Sequence, residues 1–300
     1  MHSLIDEAKR IPSIQRVVFT GGECFLLGSD LDALIAHAHE LELETRVITN
    51  AYWAVDDAIA RDRVAILRNA GLSEMMISTG TFHQRFVPLA RVVHAARAAA
   101  AKKIPTRIAI EVCDQQTFDE TLLHEELAPQ IAARQVFLGH DPWTTDVGGR
   151  GKSTITNDDL LANGGSKRAL GRCAQILDTI TVTPDQQVLA CCGFPMEQLP
   201  ALKIGALGSA ALDDLVRDAP NDLLKMWLHV AGPQGIAEFV ARYVPGYQLP
   251  PSVSICESCA ALQLDSRAMA VVAEHAGEII ESVFATFTHL NGGLEQLQAF

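Results

Sequence analysis

Five short, apolar, β-branched runs at residues 15–20, 45–50, 74–79, 106–113 and 134–140 set the strongest constraint on how this chain can fold. They recur at a spacing of roughly thirty residues, the length of one strand–helix unit. Helical patterns fill the gaps at 31–43, 56–70, 87–103 and 118–132. Asp56 and Asp57 suit a helix start and Gly71 a helix end. Nearly continuous apolar strands alternating with helices predict a parallel sheet of βα units. Five units do not close an eight-unit barrel. They fit an α/β fold in the form of a partial (β/α)6, TIM-like barrel that lacks its first strand.

The pattern changes after residue 141. Residues 141–165 are rich in Gly, Thr, Asn and Asp and read as loop. Residues 180–183 and 188–191 then flank Pro184-Asp185-Gln186-Gln187 and read as a β-hairpin. Helices are expected at 212–218, 223–243 and 266–289, the last one long, amphipathic and broken by Asn291-Gly292-Gly293. The expected division is a barrel-like domain at 1–165 and a small α+β, cysteine-rich domain at 166–300.

Charge and hydropathy narrow the class. The net charge is −12 with no basic stretch, which disfavours nucleic acid as a partner. No run of eighteen apolar residues exists, so no membrane span is expected. Residues 1–10 are charged and amphipathic, unlike a signal peptide, and read as the second half of a helix without a start. The expected compartment is the cytoplasm. Seven cysteines there suggest reduced thiols or metal ligands rather than disulfides.

Five of those cysteines cluster around the second domain's expected elements. Cys173 precedes the hairpin, Cys191 and Cys192 end it, and Cys256-Glu257-Ser258-Cys259 follows. A Cys-x2-Cys on a tight turn offers two thiolates to one metal or cluster edge. Cys173, one of Cys191 or Cys192, Cys256 and Cys259 make a set of four. Successive strand residues face opposite sides, so only one of the adjacent pair points inward. An iron–sulfur cluster and a structural zinc both fit this set. Cys24 and Cys113 read as small buried thiols.

Val18-Phe19-Thr20-Gly21-Gly22-Glu23 and Thr49-Asn50-Ala51-Tyr52-Trp53-Ala54 each close a strand with polar groups at its C-terminal end, where barrel enzymes keep their chemistry. The pair resembles the second and third strands of radical S-adenosylmethionine (SAM) enzymes. Ser78-Thr79-Gly80-Thr81-Phe82-His83-Gln84-Arg85-Phe86-Val87-Pro88 resembles that family's S-x-D-S-F-H-Q-x-F-V-P segment, with Gly80 in place of Asp and Thr81 in place of Ser. Pro142 through Gly148-Gly149-Arg150-Gly151 resembles its P-x-G-R-A segment. The hairpin Thr183-Pro184-Asp185-Gln186-Gln187-Val188-Leu189-Ala190-Cys191 resembles the T-P-D-G-x-V-x-x-C of the SPASM/twitch region, with Gln186 where Gly is usual, and Ile204-Gly205-Ala206-Leu207 resembles its I-G-N-L. Cys24 stands where a proline commonly follows Gly-Gly-Glu.

The resemblance implies SAM held by Gly21, Gly22, Glu23, Asn50, Ser78, His83 and Arg150. It further implies an auxiliary 4Fe–4S cluster on the C-terminal cysteines, a reductant such as flavodoxin or ferredoxin, and a peptide or protein substrate. His83 could act as acid or base or could cap its loop. The family's Cys-x3-Cys-x2-Cys is absent from residues 1–300, and the expectation is that it lies upstream. The alternative is a non-catalytic relative that binds a peptide or partner protein around a structural zinc or iron–sulfur site.

Overall fold

A computed structural model describes residues 1–111, 118–141, 171–192, 199–252 and 254–291. The chain divides into two compact units, Met1–Trp143 and Thr144–Phe300. The boundary expected near residue 165 lies outside the described residues.

In the first unit, helix α1 (His2–Lys9) leads into β1 (Arg16–Phe19), α2 (Ser29–Glu40), β2 (Glu44–Thr49), α3 (Asp57–Asn69), β3 (Glu74–Gly80), α4 (Leu89–Ala101), β4 (Thr106–Glu111), α5 (Thr121–Ala132) and β5 (Val136–Asp141). The five strands form one parallel sheet in the order β1-β2-β3-β4-β5. Local chemistry sets the helix ends. The Asp56 carboxylate accepts the Ile59 N–H at 2.8 Å and starts α3. Gly71, at φ 96°, follows α3, and a Cβ there would stand 2.2 Å from the His39 ring.

Strands added in sequence order through right-handed crossovers put every helix on the same face of the sheet. Consistent with that, α3 packs on α4 and α4 on α5. The buried strand residues Val47, Met75, Ile77, Ile108 and Ile110 meet Leu34, Val64, Leu67, Val92 and Leu123 of the helices in one core. The alanines of α4, among them Ala95, Ala96 and Ala99, are buried and allow close helix approach.

The sheet's other face differs from the expectation of strands buried on both sides. Val18 and Phe137 are 37% and 50% exposed. At the N-terminal ends of the strands this face carries an ion-pair ladder. Arg16 bonds Glu44 through Nε at 2.9 Å, and Glu74 meets Arg16 at 3.5 Å and Arg46 at 2.7 Å. Strand alternation then puts Val18, Ile48 and Met76 midway, and Ser78 and Glu111 toward the C-terminal ends.

In the second unit, β6 (Thr181–Val182), β7 (Gln187–Leu189) and β8 (Lys203–Ala206) form an antiparallel sheet in that order. Thr183 accepts the Gln186 N–H at its carbonyl and the Gln187 N–H at its hydroxyl, closing a three-residue loop. Gln186 ends that loop at φ 66°, the left-handed position that a glycine would fill without strain. Helices α6 (Leu212–Asp218), α7 (Leu223–Val240), α8 (Ile255–Leu264), α9 (Ser266–His275) and α10 (Ile280–Leu290) complete the unit.

Three helix expectations change. The helix at 223–243 is kinked, because Gly232 adopts φ 68°, ψ 178° and Pro233 restarts the helix after it. The helix expected at 266–289 is two helices, parted by a 3₁₀ turn at Ala276–Glu278. Cys256 and Cys259 sit not on a tight turn but in the first turns of α8, whose cap Ser254 accepts the Glu257 N–H at 3.2 Å.

Candidate functional site

Among the described residues, two clusters bring reactive groups together. In the first unit they lie at the C-terminal strand ends. The Glu23 carboxylate accepts the Phe25 N–H at 3.1 Å with one oxygen and the Asn50 N–H at 2.8 Å with the other. Asn50 turns its own side chain onto the Tyr52 N–H at 2.9 Å, and Thr49 accepts the Ala51 N–H and the Trp53 indole N–H, each at 3.1 Å. Phe25 and Trp53 stack with ring centroids 4.6 Å apart. The loops after β1 and β2 are thereby bound into one body. Cys24, buried inside it, donates to the Ile48 carbonyl at 3.3 Å. Burial, helped by the Glu23 charge, pushes its thiol up to about 12.

On the neighbouring strands, His83 Nδ1 lies 3.1 Å from Glu111 Oε2. Glu111, at the end of β4, is a participant that sequence reasoning missed; its signal was the strand alternation that puts it on the face of Ser78. It pairs in register with Gly80. Gly80 has φ 146°, and a Cβ there would stand 2.6 Å from the Glu111 carbonyl oxygen. A side chain at position 80 would therefore clash with the end of β4. Of the residues expected around SAM, the fold joins Glu23 directly to Asn50, puts Gly21 and Gly22 in the same loop, and sets Ser78 and His83 on the adjacent strand end. Arg150 and Cys113 lie outside the described residues.

The second cluster is made of thiols. Cys173 is tied by its N–H to the Leu228 carbonyl at 3.1 Å, and His229 Nδ1 bonds the Ile176 carbonyl at 3.1 Å. Both anchors come from α7, just before its kink. There Gly171 passes so close that a Cβ on Gly232 would lie 1.8 Å from its carbonyl oxygen. After β7, Cys191 is buried and Cys192 exposed. Cys256 and Cys259 stand three residues apart, on one face of α8.

These five thiols feel one another. Burial pushes Cys256 up to about 12, and Cys173, Cys191, Cys192 and Glu257 add to the rise. Burial takes Cys259 to about 12 as well, a hydrogen bond from Gln263 opposes it, and Cys173, Cys191 and Cys256 push the same way as burial. Cys192 is raised by crowding and then by Cys173, although it reaches solvent. Burial makes the first thiolate costly to form here, and each further thiolate adds repulsion. A cation reverses that sign, and binding then releases protons.

An all-sulfur set drawn from three chain segments fits a soft metal or an iron–sulfur cluster. The set is gathered but open. Among the described residues, no three His, Cys, Asp or Glu side chains stand at the spacing of ligands to one metal ion. No helix among them is long and apolar enough to cross a membrane. No protein-family model matches the chain.

Proposed function

We propose that the chain is a radical SAM-type protein. In this reading the first unit is part of a (β/α)6 barrel that receives SAM at its C-terminal strand ends. The second unit holds an auxiliary 4Fe–4S cluster on Cys173, Cys191, Cys256 and Cys259. The observation that carries the reading is the convergence of thiols from the segment before the hairpin, the segment after it and the first turns of α8. Cys191 is chosen over Cys192 because it is the buried member of the pair and acts on both Cys256 and Cys259. Cys192 instead donates its S–H toward Gln175 Oε1 at 3.5 Å.

The strictly sequential sheet supports the barrel half of the reading, since helices on one face leave the other free to close inward. Glu23, Asn50, Ser78 and His83 then stand where barrel enzymes bind substrate. When bound, the cluster supplies electron transfer; the chain's own residues hold it, orient SAM and exclude water. The reading extends to a peptide or protein substrate, a flavodoxin- or ferredoxin-type reductant and a cytoplasmic setting, all carried over from the resemblance.

A second reading, a non-catalytic relative, draws on Glu23 and Gly80. Both Glu23 oxygens already serve backbone N–H groups, and position 80 has no room for a carboxylate. One comparison separates the two: iron content and SAM binding of the anaerobically reconstituted wild type and of Cys256→Ala/Cys259→Ala. The first reading expects about four irons per chain, lost in the variant, and, because the Cys-x3-Cys-x2-Cys that would help chelate SAM is absent from residues 1–300, SAM binding no tighter than about millimolar. Zinc without iron in protein purified anaerobically leaves the second reading standing.

A further inference from the structure

Gln263 lies one helical turn beyond Cys259 on α8, and its side-chain Nε2 donates to the Cys259 sulfur at 3.0 Å. Residues four apart share a face of a helix, so the backbone alone brings this donor to the sulfur. The contact therefore does not depend on how the remaining thiols close around a metal. The second amide of the region is turned the other way: Gln175 offers its oxygen, which accepts from Cys192 and from Thr179. One glutamine thus gives a proton to a sulfur proposed as a ligand, and the other takes one from the sulfur proposed as a bystander.

We infer that Gln263 is a positioning residue that sets the reduction potential of the metal centre through the Cys259 sulfur; this rests on the cluster reading above. An N–H donor on a ligand sulfur withdraws electron density from it and favours the reduced, more negative state of the cluster. Its contribution belongs to one sulfur of four. The amide's other end, Gln263 Oε1, is buried without a hydrogen-bond partner, so the orientation that serves the sulfur is kept at the expense of the oxygen.

The test is an anaerobic, EPR-monitored redox titration of the iron-loaded wild type and of Gln263→Leu, Gln263→Glu and Gln175→Ala, each checked for iron per chain. Gln263→Leu removes the donor and is expected to shift the midpoint potential downward with iron retained. Gln263→Glu keeps the shape, replaces the donor by a negative charge and is expected to shift it further down. Gln175→Ala removes the acceptor of Cys192 and Thr179, neither of them a proposed ligand, and is expected to leave the potential where it is. A potential unmoved by both Gln263 variants overturns the inference, as does a shift from Gln175→Ala as large as theirs. Loss of iron in both Gln263 variants, with the fold kept by circular dichroism, also overturns it in favour of a structural role. A wild type that takes up no iron sinks the cluster reading itself, a result distinct from all of these.

Discussion

The Glu23 carboxylate accepts the Asn50 backbone N–H at 2.8 Å and so ties the loop after β1 to the loop after β2. The same carboxylate accepts the Phe25 N–H, so one side chain serves two backbone donors. Glu23→Ala is expected to lower the stability of the first unit by about 1.5–3 kcal/mol, the range for hydrogen bonds to a charged group. Glu23→Gln, with one amide oxygen left to accept, is expected to lose less. Urea unfolding followed by circular dichroism reads both, and equal stability of wild type and Glu23→Ala would show that the tie contributes nothing.

Gly80 and Glu111 test why the chain departs from the radical SAM pattern. Gly80→Asp restores the carboxylate of that pattern but drives a Cβ to 2.6 Å from the Glu111 carbonyl at a φ that side chains rarely adopt. The expected cost is about 1–3 kcal/mol of backbone strain. Unchanged stability together with improved SAM binding would mean that the steric account is wrong.

The strand and helix alternation of the first unit rests on signals that survive without tertiary context, and the misses elsewhere have local causes. Runs such as Glu74–Gly80 and Thr106–Glu111 are recognisable because their β-branched residues pack against helices. The amphipathic stripe of 266–289 runs on through Ala276-Gly277-Glu278, so periodicity alone did not reveal the break there. Two corrected features did leave marks. Ser254 and Glu257 have capping-box spacing, which announced a helix at Cys256, and Gly232-Pro233 announced the kink. The cysteine spacing singled out the thiols but not Gln263 or His229, because a glutamine or histidine on a helix has no distinguishing pattern until its neighbours are known.

Stability should respond to alkali through Cys24. Its thiol titrates near 9.0 when free and at about 12 in the fold, raised first by burial and then by Glu23. The folded state therefore keeps a proton that the unfolded chain releases. That contribution is whole below 9 and is lost as pH rises toward 12. Urea midpoints of the first unit should fall across that window in the wild type and fall less steeply in Cys24→Ala. Parallel profiles for the two proteins would contradict the assignment.

Gly232 offers a prediction against helix propensity. Glycine to alanine inside a helix ordinarily gains about 1 kcal/mol. Here φ is 68° and the Gly171 carbonyl oxygen fills the space a Cβ needs. Gly232→Ala is expected to cost roughly 2 kcal/mol or more and to displace the segment carrying Cys173, which α7 holds through the Leu228 carbonyl. Calorimetric melting and metal content should fall together, and a stabilised variant with full metal content would refute the cradle.

The central claim is that Cys173, Cys191, Cys256 and Cys259 close around one iron–sulfur centre. X-ray absorption at the iron edge of the anaerobically prepared protein measures this directly. The account predicts a nearest shell of sulfur alone, with iron–iron scattering behind it, both lost in Cys256→Ala/Cys259→Ala. Iron surrounded by oxygen and nitrogen, or a sulfur-bound zinc with no iron present, would contradict it.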